Sequence, residues 1–205
     1  MQGYIININS VKDEDLIVTI LTESNLYTTY RFYGARHSII HVGFKIDFEL
    51  ETNLKSSIPR LKDVIQIGYP WIQDAQKLYS WQRFIKLFYP HLKDVEEIEE
   101  FYFNLLDTLA HKMVKQNPKR AIIENYVQLC EHEGRLHTEY ECLLCEEIIE
   151  NDISLVRSFL PTHAKCSYSK RFSINKIKEL FEEKSSLQLS DEEVEYLWDI
   201  LLQGL

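Results

Sequence analysis

Four residues in the second half of the chain have the types and spacing of a metal site. They are Cys142-Leu-Leu-Cys145 and, after 17 residues, His163-Ala-Lys-Cys166. Each pair spans one turn, and the segment between them folds back to bring the pairs together. Three thiolates and an imidazole in a tetrahedral set suit zinc and fill its coordination sphere. No position is left for water, so the expected Zn2+ is structural and not catalytic. The competing reading makes Cys142 and Cys145 buried thiols and His163 a surface imidazole. The second pair at suitable spacing is what favours the metal. Cys130, at an apolar position of the preceding helix, reads as core.

Catalytic uses of these residues fail on spacing. His132-Glu133-Gly134-Arg135-Leu136-His137 is one residue longer than the zincin motif. Five residues turn a helix by about 500°, so its two imidazoles would not share a face. His137-Thr-Glu139 stands too close to Cys142, with no proline before it, for a zinc deaminase. A thioredoxin-type dithiol lacks its βαβ context. No GxxxxGK[ST] loop occurs, so ATP hydrolysis is not expected and the chain reads as a non-enzyme. Asp13-Glu14-Asp15 resembles a metal-binding acidic cluster but reads better as a solvated turn.

A second kind of chemistry is offered by Leu26-Tyr27-Thr28-Thr29-Tyr30-Arg31-Phe32-Tyr33. Strand alternation puts Tyr27, Thr29, Arg31 and Tyr33 on one face, a ladder on which bases could stack while cations hold phosphates. Arg36 and His37 follow, with Lys45, Lys55, Arg60 and Lys62 further on. The alternative is an ordinary solvated face with cross-strand tyrosine pairs. A separate basic group, Lys112, Lys115, Lys119 and Arg120, either complements a helix C-terminus or rims a groove for an acidic peptide tail.

The elements that must position these residues follow from composition and period. The chain has 205 residues, 45% hydrophobic and 27% charged, enough for one large domain or two small ones. Its formal net charge of -9 excludes a uniformly basic nucleic-acid coat, though not a local patch. No run of eighteen apolar residues suggests a membrane span, and the start lacks a secretory pattern. The four clustered cysteines suit a reducing, cytoplasmic setting.

Strands are expected at Tyr4–Ile8, Leu16–Leu21, Leu26–Tyr33, Phe44–Leu50 and Val64–Ile67. Five short strands without an intervening helix point to a closed barrel, with an OB-fold as the five-stranded candidate. After Pro70 the period becomes helical. One helix should stop before Pro90. A second should open at an Asp94/Glu97 capping box and close at Pro118, and a third should run from Ala121 to Glu133 with Gly134 as its cap. Two more cover Phe172–Glu183 and Asp191–Leu202, the latter behind a Ser190/Glu193 capping box. The expected architecture is α+β: a barrel over 1–70 packed on a helical domain over 71–205, with a zinc module over 140–168.

Taken together, these residues resemble the RecO family of bacterial recombination mediators. Gly3–Ile8 and Asp13–Thr22 are similar to its first hairpin, and Gly34-Ala35-Arg36-His37-Ser38 to its glycine-centred basic turn. Arg120 to Glu124, Leu129, Gly134 and the Cys142–Cys145 pair follow its helix–glycine–zinc order. The second pair departs, with His-x2-Cys where Cys-x2-Cys is common.

The resemblance implies single-stranded DNA binding, strand annealing, capture of the C-terminal tail of single-strand-binding protein, and action with RecR to load RecA. It makes Arg31 and Arg36 candidate DNA contacts and Cys142, Cys145, His163 and Cys166 the zinc ligands. Tyr27, Tyr33, Lys45 and Lys62 complete the expected strand-binding set, in a cytoplasmic, nucleoid-associated protein. The rival classes are an RNA-binding barrel with a zinc ribbon and an acidic protein–protein adaptor.

Overall fold

The computed structural model describes residues 1–36, 39–53 and 56–205. Five strands open the chain: β1 (Gln2–Ser10), β2 (Leu16–Leu21), β3 (Leu26–Arg31), β4 (Lys45–Asn53) and β5 (Ser56–Ile67). They hydrogen-bond in the order β1-β2-β3-β5-β4, and β4 pairs again with β1, so the sheet closes. All neighbours are antiparallel except β3 and β5, which meet in parallel at Tyr30 and Arg60. This is the five-stranded barrel of an OB-fold, and closure removes its free edges. Ile5, Val18, Ile20, Ile46, Phe48 and Leu61 fill the interior. Ile46 and Phe48 are the inward set that alternation along β4 predicts.

β1 is buried on both faces. Ile5 lies in the barrel core, whereas Tyr4 meets Trp81 and Phe103 at ring-centroid distances of 5.8 and 5.4 Å. Those rings belong to α1 (Ala75–Leu92) and α2 (Glu100–Lys112). Barrel and both helices form one compact unit, Met1–Val114, and the rest of the chain forms a second, Lys115–Leu205. The change from strand to helix after residue 70, where a domain division was expected, therefore falls inside the first unit. The unbroken apolar run Tyr4-Ile5-Ile6 is the reason, because a strand with two apolar faces needs cover on both sides. Gly43 permits the close seat of α1. Its φ is +89°, a Cβ there would stand 2.9 Å from the Trp81 ring, and its carbonyl accepts the Trp81 Nε1–H at 2.7 Å.

Three helix limits differ from the pattern-based expectation. α1 continues through Pro90, which loses one backbone bond only two residues before the helix ends. Asp94 and Glu97 cap nothing, since α2 begins at Glu100. Pro118 does not close α2 but opens α3 (Pro118–His132) at its first turn. A proline there forfeits no helical bond. The Asn117 side chain caps the helix by accepting the Lys119 and Arg120 N–H groups at 3.0 and 3.3 Å.

In the second unit, α3 is buried without interruption from Ala121 to Val127 and packs on α6 (Asp191–Leu201). It ends as Gly134 suggests. Gly134, at φ +65°, donates to the Glu131 carbonyl, and Arg135 reaches back to Cys130 at 2.8 Å. This is a Schellman cap. β6 (Asp152–Val156) pairs with β7 (Leu160–Thr162) and β8 (Phe172–Ser173), followed by α5 (Ile174–Glu182). α4 (Ala164–Ser167) is a single turn between β7 and β8.

The capping box on α6 forms as its spacing predicts. Ser190 N–H donates to Glu193 Oε2 at 2.6 Å, and Glu193 N–H to Ser190 Oγ at 3.2 Å. Ser190→Ala is expected to cost about 1 kcal/mol in urea unfolding. An unchanged midpoint would remove the box as a source of stability.

Candidate metal centre and nucleic-acid interface

The first ligand pair sits in a tight hairpin. Glu141 bridges Ile148, Cys142 N–H donates to the Glu147 carbonyl at 2.9 Å, and Glu146 N–H returns to the Cys142 carbonyl at 2.8 Å. The second pair follows β7, with His163 just before α4 and Cys166 within it. Leu143 N–H donates to the Pro161 carbonyl at 3.0 Å and locks the two pieces together.

The four ligand atoms of Cys142, Cys145, His163 and Cys166 lie within 4.8 Å of one another. Cys145 Sγ is 3.8 Å from Cys166 Sγ and 3.4 Å from His163 Nδ1, which is 4.0 Å from Cys166 Sγ. A tetrahedron with Zn–S of about 2.3 Å has S···S edges of about 3.8 Å and S···N edges of about 3.6 Å. The spacing thus fits a metal held through Nδ1. Burial opposes ionisation of Cys142, but N–H groups of His163, Leu144 and Cys145 donate to its sulfur and bring its pKa down to about 6. The His163 N–H stands 3.2 Å from that sulfur. Desolvation and the neighbouring Cys145 and Cys142 sulfurs push Cys166 up to about 11. A cluster that favours one thiolate and resists the next is one that a cation would complete. The group can therefore hold a metal ion.

The aromatic ladder of β3 faces the other way from its expected direction. Tyr27, Thr29 and Arg31 stand opposite Ile20, Val18 and Leu16 of β2, the residues that line the barrel core. Thr29 is fully buried and donates its hydroxyl to the Val18 carbonyl at 3.0 Å. Tyr27 packs on the core, and Arg31 Nη1 donates to the Leu61 carbonyl of the neighbouring β5 at 2.8 Å. Lys45 is also turned from solvent, at 8% exposure, and pairs with Asp107 of α2. Tyr27, Arg31 and Lys45 are thus not presented as one outward surface.

What the structure gathers instead is the end of β3 and the turn beyond it. Arg36 lies 5.1 Å over the Tyr33 ring, and Arg60 lies 4.8 Å over Phe32. Tyr33 and Phe32 are exposed at 53% and 45%. Lys62 is half-exposed and, like Arg60, paired with Glu51. The hydrogen bond from Lys62 holds the Glu51 carboxyl below its usual range.

The acidic run braces this end. Asp15 accepts the Tyr33 N–H at 2.6 Å and the Tyr30 hydroxyl, and Glu14 pairs with Arg36. Asp13-Glu14-Asp15 lies in a turn, as expected, but Asp15 is buried against Tyr30 and Tyr33 and not solvated. Phe32 escaped the spacing argument because alternation over an expected strand to Tyr33 set it on the face opposite Tyr33, whereas β3 ends at Arg31. The parallel Tyr30–Arg60 pairing that brings Arg60 beside it is a long-range feature. His37 and Lys55 lie outside the described residues.

The other basic group is divided. Lys112 ends α2 in the first unit, while Lys115 is exposed at the start of the second. Lys119 pairs with Glu195 and lies over Trp198. Arg120 donates to the carbonyls of Ser186 and Leu189 and to Asp191, at 2.5, 2.9 and 2.8 Å. The last two hold α6 and its preceding loop on α3.

Among the described residues, no helix is long and apolar enough to cross a membrane. No curated protein matches the chain in sequence. Residues 1–72 match the family model described as RecO N terminal. That stretch contains all five strands of the closed barrel. The opening 72 residues are thus similar to the RecO N-terminal domain, and this match supports a RecO family assignment.

Proposed function

We propose that the chain is a non-enzymatic DNA repair and recombination mediator. Its barrel binds single-stranded DNA, anneals strands and, with RecR, helps to load RecA onto DNA coated with single-strand-binding protein. The observation that carries this reading is the coincidence of a RecO N-terminal domain with an aromatic and basic rim on an OB barrel. Stacking on Phe32 and Tyr33, with phosphates held by Arg36, Arg60 and Lys62, is the chemistry such a rim offers. Glu14 and Glu51 neutralise those cations in the free protein, so binding exchanges carboxylate for phosphate. This suits a protein of net charge -9 that engages DNA briefly.

The metal is Zn2+, held by Cys142, Cys145, His163 and Cys166, and its role is to join the knuckle to the β6–β7 hairpin. The protein acts in the cytoplasm at the nucleoid. The tail of single-strand-binding protein is a partner by family likeness. The exposed Lys115 is its candidate contact in the second unit, since Lys119 and Arg120 already serve the α3–α6 contact.

The test is oligonucleotide binding against salt, with and without a peptide of that tail. Arg36→Ala with Arg60→Ala should weaken binding about tenfold, and losing two phosphate contacts should reduce the salt slope by about 1.4. Unaltered affinity and slope would remove the rim from the DNA site. The acidic balance favours one rival, a protein–protein adaptor. It would be established by the absence of any salt-dependent binding to DNA or to matched RNA.

A further inference from the structure

The metal module segregates its charges along the chain. Residues 137–152 contain six acids and no Lys or Arg, whereas residues 153–178 contain six Lys and Arg and no acid. The six are Glu139, Glu141, Glu146, Glu147, Glu150 and Asp152, and all are exposed. Among the described residues none of them forms an ion pair.

Three large apolar side chains stand out among these acids. Leu143, Leu144 and Ile148 are 54%, 58% and 62% exposed. They are held there by the knuckle itself. Leu143 and Leu144 separate the two cysteines, and the Leu143 N–H is fixed to the Pro161 carbonyl. A cavity of about 300 Å³ opens beside Leu143, with Leu160 and Pro161 among its apolar lining and Glu139, Glu141 and Glu146 around it. A fixed apolar tip beside a cavity, ringed by carboxylates that have no internal partner, has the layout of an interface core with a charged rim.

We propose that this face docks a basic, leucine-bearing peptide segment of a partner protein. Apolar side chains of that segment fill the cavity beside Leu143 and cover Leu144, and its Lys or Arg side chains pair with the surrounding carboxylates. Charge complementarity selects this occupant. Nucleic acid, anionic lipid and acidic tails are repelled by the same rim. A second copy meeting this face with its own would set six more carboxylates against these six. The proposal stands apart from the DNA-binding reading, because the barrel rim has no part in it.

The probe is a short synthetic amphipathic helix of lysine and leucine, fluorescently labelled and titrated with the full chain. It should bind, and the same peptide with glutamate for lysine should not. Leu143→Ser with Leu144→Ser should weaken binding about tenfold, as should Glu141→Lys with Glu146→Lys. Glu96→Lys with Glu97→Lys makes the same charge change at exposed positions of the first unit and should leave affinity intact. Oligonucleotide binding should be unchanged by the knuckle substitutions.

Absence of binding would overturn the proposal. Equal weakening by the Glu96 and Glu97 changes would overturn it too, since bulk charge would then be the cause. A concentration-dependent dimer of the free chain that Leu143→Ser and Leu144→Ser abolish would assign the face to a second copy instead. Should the leucine pair release the metal, the glutamate pair alone decides.

Discussion

Cys142→Ser should release the metal and lower the melting temperature of the second unit. One equivalent of zinc is expected per wild-type chain and well under one in the variant. A structural zinc contributes about 10 kcal/mol to a small module that cannot hold itself. Cys142 is the right position to test because it does two jobs. Its sulfur is one of the four clustered ligands, and it accepts the His163 N–H, tying the first ligand pair to the second. A serine hydroxyl can accept that N–H but is a poor ligand for zinc. Metal loss therefore separates from simple loss of the hydrogen bond. Elemental analysis together with a thermal melt decides the matter. Metal-free wild-type protein with an unchanged melt would count against the site.

The second large effect is expected in the first unit. Lys45 is 8% exposed, and its ammonium pairs with Asp107 while lying 5.6 and 5.0 Å from the Tyr4 and Phe103 ring centroids. The Tyr4 and Tyr69 hydroxyls donate to the same Asp107 oxygen, at 2.9 and 3.3 Å. Asp107→Ala leaves a charge among aromatic rings without its partner, which should cost about 3 kcal/mol. Lys45→Met removes the charge and keeps the volume. Asp107 then retains two hydroxyl donors, so the loss should be smaller, about 1 kcal/mol.

The pH dependence has a definite sign. Burial opposes ionisation of Asp107, but the hydrogen bonds from Lys45 and Tyr4 outweigh it, and the folded-state pKa falls below 3.8. The stabilisation is fully present above that ordinary value and is lost as pH falls through the folded-state one. Urea unfolding of wild type and Asp107→Ala at neutral and strongly acid pH should show the gap narrowing. A gap that is absent at pH 7 would show that the pair does not secure α2.

The Cys142, Cys145, His163 and Cys166 cluster was legible because coordination imposes a spacing on the chain itself. Two short pairs across a foldback announce themselves without any knowledge of the surroundings. The OB barrel was legible for a similar reason, since strand length and alternation are local. The direction of β3 was not. Both of its faces carry tyrosine and threonine, and the face with Arg31 looks the more polar, so alternation divides the residues but points the wrong set inside. The register against β2 decides, by setting Thr29 beside Val18 in the core. Its hydroxyl is tolerated there because the Val18 carbonyl accepts it.

Lys45 misled for the opposite reason. It does lie on the outer face of β4, but Asp107, 62 residues away, covers it from α2. Pro118 was ambiguous in principle. Proline suits the residues just past one helix and the first turn of the next, and only the Asn117 cap distinguishes them.

The double cladding of β1 reaches beyond stability. The stretch recognisable as a domain by descent stops at residue 72, while the body that shields Tyr4 and Lys45 from water runs to Val114. A fragment trimmed to the heritable part would bare a greasy flank and an orphaned ammonium. The two helices are in effect the barrel's outer wall, and any transplantation of this barrel must carry them along.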